Sequence, residues 1–156
     1  MALRAGMLAF PSMPRPDAMS APIRLLIHGA SGRMGQALLR LTRERDDLQA
    51  VAAVSRGQPA QRVVEGVPRF AASELSGVPE FDVAVDFSLP EGFDPVLALG
   101  VARGTAFVSG TTGLEDAQRA ALEAAADRVP VLWASNFSLG VAVLHMLVER
   151  AAAALP

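Results

Sequence analysis

From Ile23 onward the chain alternates short, continuously apolar runs with stretches whose apolar residues recur every three or four positions. "IRLLIH" (23–28), "LQAVAAV" (48–54), "FDVAVDF" (81–87), "TAFVSG" (105–110) and "VPVLWAS" (129–135) predict strands, and "GVPRF" (66–70) a short one. After the first run, Met34, Ala37, Leu38 and Leu41 fall at i, i+3, i+4 and i+7, one face of a helix. Residues 91–102 predict a second helix that ends before Gly104, residues 114–128 an Ala-rich third, and Ser138 to Leu155 a long last helix with no strand after it. Runs that are apolar on both faces belong in a parallel sheet, and helices between them cover both sides. The expected fold is α/β, a doubly wound parallel sheet with helices on both faces plus a C-terminal helix.

The first 22 residues do not share this pattern. Four prolines interrupt "MALRAGMLAFPSMPRPDAMSAP", and the apolar run from Met7 to Phe10 is too short for a secretory core. They are expected to form a disordered extension. The remainder divides into a domain over 23–135 and a hinge with a helix over 136–156.

Composition removes several chemistries. At 156 residues, half of them apolar, the chain can bury one domain's core, and a net charge of −2 gives no basic field for nucleic acid. No apolar run reaches the ~18 residues of a membrane helix. The absence of cysteine excludes disulfides, thiolate metal sites and cysteine nucleophiles. Every basic residue among the fourteen is Arg, and there is no Tyr. A Walker lysine, a Schiff base and the Tyr-Lys couple of short-chain dehydrogenases are therefore excluded. G-x-S-x-G is missing too, so no nucleophile elbow is present.

The chemistry that remains begins in "HGASGRMG". Gly29, Gly32 and Gly35 follow a strand and open a helix, the context a dinucleotide-binding turn requires. The first glycine allows a sharp turn, the second lets backbone N–H groups reach a diphosphate, and the third lets the helix pack close. The helix N-terminus adds about +0.5 of a charge toward the anion. Arg33 lies in the turn, placed to neutralise phosphate. About twenty residues on, an acid would bind a ribose 2′-hydroxyl and a cation a 2′-phosphate. Ser55 stands at the acid position and Arg56 follows. Arg56 can clamp a phosphate bidentately, which favours NADPH over NADH.

Three more loops fall at carboxyl ends of strands, where open α/β sheets bind ligands. In "VSGTTG", Gly110 lets backbone approach a ligand, and Thr111 and Thr112 offer hydroxyls. In "ASNFSLG", Asn136 can bond a carboxamide and Phe137 can pack on a ring. In "DFSLPEG", Asp86 and Glu91 read as turn and cap acids. His28 and His145 read as structural, since neither stands in an acid–base cluster.

Together "GASGRMG", "SR" at 55–56, "VDFSLPEG", "GTTG" and "ASNFSLGV" resemble, in order and spacing, the dihydrodipicolinate (4-hydroxy-tetrahydrodipicolinate) reductase family. The resemblance runs from Ile23 to about Ala154. It implies a Rossmann-like domain, NADPH or NADH as cofactor, a small dicarboxylate substrate, a cytoplasmic setting and a step in diaminopimelate and lysine biosynthesis. It also implies that Gly29, Ala30, Ser31, Gly32, Arg33 and Met34 hold the diphosphate and that Ser55 and Arg56 lie at the adenosine ribose. By the same resemblance, Gly110, Thr111, Thr112, Ala134, Ser135, Asn136 and Phe137 approach the nicotinamide.

The chain departs from the family in three places. Ser55 stands where members often carry an acid. The stretch before "VDFS" is short. The family's paired-His motif, catalytic Lys and Gly-Thr segment, which follow the "NFS" hinge, have no counterpart, so no catalytic residue is assigned. The chain is expected to be the cofactor half of a reductase, to bind dinucleotide and to turn over poorly or not at all by itself. Two alternatives share the glycine turn: a non-catalytic NAD(P)-binding module, and the cofactor half of another Rossmann dehydrogenase. The last helix carries Leu139, Val143, Met146 and Leu147 on an apolar face, whose exposure would favour self-association.

Overall fold

The first strand, β1 (Ile23–His28), sets the architecture because its side chains alternate between two cores. In this computed structural model, which describes residues 21–155, Leu26 packs into one buried cluster and Leu25 and Ile27 into the other. Six further strands follow: β2 (Leu48–Ser55), β3 (Val63–Val64), β4 (Val67–Ala71), β5 (Val83–Asp86), β6 (Ala106–Ser109) and β7 (Val131–Trp133). They form one sheet in the order β3-β4-β2-β1-β5-β6-β7, parallel except for the β3–β4 pair. The chain direction of winding reverses beside β1, the point at which such sheets open a crevice at their carboxyl edge.

Helix α1 (Arg33–Arg43) covers the face of Leu25 and Ile27. Helices α2 (Pro90–Arg103) and α3 (Asp116–Ala126) cover the other, where Phe93, Val96, Leu97, Leu122 and Ala125 meet Leu26, Ala84 and Phe107. Phe93 and Phe107 meet edge to face at 5.7 Å, the arrangement that ring quadrupoles favour. Pro90 opens α2 and Gly104, at φ +66°, closes it, so the helix stops where the sequence predicts. Helix α4 (Leu139–Ala154) begins at a Ser138 cap, and none of its residues is buried.

Two details differ from the sequence expectation. The face of α1 that meets the sheet carries Gly35, Leu39 and Thr42; Met34 and Leu41 are about half exposed. Gly35 decides this rotation, because a Cβ there would stand only 2.3 Å from the Gly29 carbonyl oxygen. The side without a side chain is the only one that can approach the turn. The second difference is β3, a two-residue strand too short to show a period. It pairs antiparallel with β4 through Glu65 and Gly66, both at positive φ, the backbone of a tight hairpin turn. Of the N-terminal extension expected over 1–22, residues 1–20 lie outside the described residues.

Candidate functional site

The carboxyl edge of the sheet carries a row of polar residues in register: His28 on β1, Asp86 on β5 and Ser109 on β6. All three are buried. His28 Nδ1 lies 2.8 Å from Asp86 Oδ1. The same carboxylate accepts from the Ser88 amide at 3.2 Å, the Ser109 hydroxyl at 3.0 Å and the Thr111 hydroxyl at 2.7 Å. Burial alone pushes the Asp86 carboxyl up; the donors from His28, Ser88 and Thr111 outweigh it and hold it below the ordinary carboxylate range. Asp86 does serve its own turn through Ser88, as the sequence suggests, but it is also the hub of the edge.

Beside this row a cavity of about 580 Å³ opens between the β1–α1 turn and the start of α2. Gly29, Ser31, Gly32 and Arg56 line one side; Phe87, Ser88, Glu91 and Gly92 line the other, with His28 in the wall between. Gly29 takes φ +76°, and a Cβ there would collide with the Phe87 carbonyl. Gly32, the N-cap of α1, offers no side-chain cap, and no acid stands in the helix's first turn. The leading N–H groups of α1 therefore have no side-chain cap, the arrangement that favours an anion at a helix start. The other helices are furnished differently: Glu91 in the first turn of α2, Asp116 in that of α3, and the Ser138 hydroxyl at α4. Among the described residues, neither Arg33 nor Arg56 is engaged in an ion pair.

The remaining predicted residues divide. Ala30 is buried under the turn, where its carbonyl accepts from Gln36. Arg33 and Met34 are exposed at the start of α1, outside the cavity wall, and Ser55 is half-buried at the end of β2. Thr111 does not offer its hydroxyl outward; it turns inward to Asp86. The space that Gly110 leaves is filled by the Phe87 ring, since a Cβ would stand 2.2 Å from Phe87 Cε1. Trp133 Nε1 donates to the Thr111 carbonyl, closing this corner further. Thr112, Ser135 and Asn136 are exposed and Ala134 half-buried. Asn136 uses its side-chain oxygen to accept from the Ser138 amide at 2.7 Å. Phe137 does pack on a ring, but that ring is Phe87, edge-on at 5.4 Å.

Sequence reasoning missed His28, Phe87, Ser88 and Gly92 as cavity residues. For the last three the available signal was "DFSLPEG", a loop at the carboxyl end of a central strand; His28 stands at the carboxyl end of β1, directly before the glycine turn.

The family described as Dihydrodipicolinate reductase, N-terminus, matches residues 23–137. The chain is 73% identical over 135 residues to a 4-hydroxy-tetrahydrodipicolinate reductase of Stenotrophomonas maltophilia (strain K279a), covering 86% of this chain and 56% of that protein. It is 66% identical over 137 residues to the protein of the same name from Xanthomonas campestris pv. campestris (strain B100), covering 88% and 58%. It spans little more than half the length of these curated relatives. A solved structure, dipicolinate-bound dihydrodipicolinate reductase from Paenisporosarcina sp. TG-14, superposes with a TM-score of 0.69 at 24% identity, over 85% of this chain and 54% of that one. That likeness concerns the fold. With a sequence match across the whole glycine-turn sheet and two relatives above 60% identity, the chain belongs to the dihydrodipicolinate reductase family, whose N-terminal region it matches.

Proposed function

We propose that this chain holds NADPH, or less tightly NADH, for the reduction of 4-hydroxy-tetrahydrodipicolinate to tetrahydrodipicolinate in diaminopimelate and lysine biosynthesis, a cytoplasmic step. One observation carries this: a single cavity joins an uncapped helix start, bared by Gly29 and Gly32, to Arg56, which makes no ion pair among the described residues. A diphosphate fits the first element and a 2′-phosphate the second. The reduced nicotinamide, when bound, supplies the hydride.

The chain's own part is to bind and orient. The leading amides of α1 hold the diphosphate, with Ser31 and the exposed Arg33 beside them. Arg56 takes the adenosine end. Toward the nicotinamide, backbone at Gly110 and Thr112, together with Ala134, Ser135 and the amide nitrogen of Asn136, remains to be contacted. Thr111 and Phe137 act from behind, through Asp86 and Phe87. The dicarboxylate nature of the substrate draws support from the dipicolinate named in the neighbouring structure.

Calorimetry with the 156-residue chain tests this. NADPH and NADH should both saturate, NADPH more tightly. Arg56→Ala should weaken NADPH about tenfold, the worth of one charge-assisted contact, and leave NADH nearly unchanged. No saturation by either dinucleotide overturns the proposal.

A further inference from the structure

We propose that His28 touches the bound cofactor: its Nε2 accepts a hydrogen bond from a hydroxyl of the ribose on the nicotinamide side. The inference rests on the cofactor assignment above and goes beyond it by naming a ligand contact on β1, ahead of the glycine turn.

The first step is the tautomer. Asp86 already accepts from Ser88, Ser109 and Thr111, so it meets Nδ1 as a carboxylate acceptor, and Nδ1 carries the ring proton. In the neutral ring Nε2 then presents a lone pair. The second step is the missing partner. His28 is 3% exposed, yet among the described residues nothing hydrogen-bonds to Nε2, which belongs to a ring in the cavity wall. Among the described residues only Arg69 Nε is fully enclosed without a partner; Nε2 keeps an open side, and that side is the cavity, where a ligand can meet it. Gly92 keeps it open, because a Cβ there would stand 3.0 Å from Cε1 and 3.5 Å from Nε2.

The third step is the kind of ligand atom. A bare lone pair repels phosphate oxygens and calls for a donor. The cavity already has its anion-binding groups in the α1 amides and Arg56, and a sugar hydroxyl is the neutral donor a dinucleotide offers. The fourth step is position. Arg56 follows β2, on one side of β1, whereas His28 faces α2 and β5 on the other. The two mononucleotide halves of such a sheet lie on opposite sides of β1, so the hydroxyl belongs to the half away from Arg56. Nucleophilic catalysis is excluded for this row: Ser109 donates to Asp86, not to His28.

The test uses the full chain with 15N-labelled histidine. It has two histidines, and His145, exposed on α4, serves as the internal reference. Saturating NADPH should move the His28 Nε2 resonance upfield, as hydrogen bonding to its lone pair requires, and leave His145 in place. Adenosine 2′,5′-bisphosphate, which lacks the nicotinamide half, should leave both in place. His28→Phe, which keeps a flat ring, should weaken NADPH about tenfold, the loss of one hydrogen bond. If NADPH binds by calorimetry while Nε2 stays still, or if His28→Phe binds like wild type, this inference fails and the cofactor assignment stands. If the bisphosphate moves Nε2 as far as NADPH does, the nicotinamide-side contact is wrong. If neither dinucleotide binds the unaltered chain, both fall. The resonance alone decides the matter should His28→Phe not fold.

Discussion

The carboxyl edge of the sheet has an open half and a closed half, built from similar residues. On the open half, around β1 and β2, glycines and a lone Arg border a cavity. On the closed half, around β6 and β7, a second glycine–threonine loop is filled in. Phe87 occupies the space of Gly110, Thr111 turns to Asp86, Trp133 bonds the loop backbone and Phe137 leans on Phe87. Small and hydroxylated residues at strand ends thus have two uses. They clear room for a ligand, or they let neighbouring side chains close the corner, and the deciding factor is whether a bulky side chain from the next strand reaches the gap.

Asp86 joins the halves, and removing it should have the largest effect. Asp86→Ala orphans His28 Nδ1, Ser109 and Thr111 at once and should lower the unfolding free energy by about 3–5 kcal/mol, the range for breaking buried charged networks. Urea midpoints at neutral pH measure this; a loss under about 1 kcal/mol contradicts the hub. Acid gives the same answer with a definite sign. The native carboxyl titrates below its unfolded value of about 3.9. Its contribution is therefore complete above that value and disappears as pH falls through the lower native one. Wild type should lose more stability than Asp86→Asn on acidification below about pH 4.

A matched pair of glycine substitutions separates the halves more finely. In Gly110→Ala the new Cβ meets the Phe87 ring at 2.2 Å, so the fold should lose about 1–3 kcal/mol, as overpacked cores do. In Gly32→Ala the nearest atom is the Gly29 carbonyl oxygen at 3.2 Å, and φ is −78°, open to any residue. Stability should change by less than about 1 kcal/mol, while NADPH weakens about tenfold because the methyl stands where backbone must approach diphosphate. Equal effects of the two substitutions on stability and on binding would erase the distinction.

These cases also explain what the sequence discloses. The parallel sheet was legible because each strand's apolar run and each glycine or proline boundary is a local signal. Gly29 and Gly35 were legible because a turn and a close helix leave a fixed spacing. The face of α1 was not, since Gly35, which adds nothing to an apolar count, decides which side docks. Nor could local pattern reveal that His28 meets Asp86, 58 residues away, or that Phe87 fills Gly110. Both depend on β1, β5 and β6 lying side by side, and strand order is not written in any one segment. Gly29, Gly32 and Arg56, expected from the sequence to hold the cofactor, lie along one wall of a cavity; in the second wall, from Phe87 to Gly92, the sequence discloses only a turn and a cap.

That second wall yields the smallest effect, and the sharpest electrostatic one. Glu91 does two opposing things: it favours the positive start of α2 and places a carboxylate in the cavity proposed to take the cofactor's phosphates. Glu91→Gln should cost α2 about 0.3–1 kcal/mol. It should also tighten NADPH about two- to threefold, NADH less because it carries less charge, and both gains should shrink as salt shortens the screening length to about 8 Å at physiological strength. Asp116 holds the equivalent place at α3, outside the cavity wall. Asp116→Asn should therefore match the loss of helix stability with no gain in binding. Calorimetry at low and physiological salt distinguishes the two. If both substitutions tighten NADPH equally, the field acting on the phosphates is that of the chain's net charge of −2, and the open half has no electrostatic identity of its own.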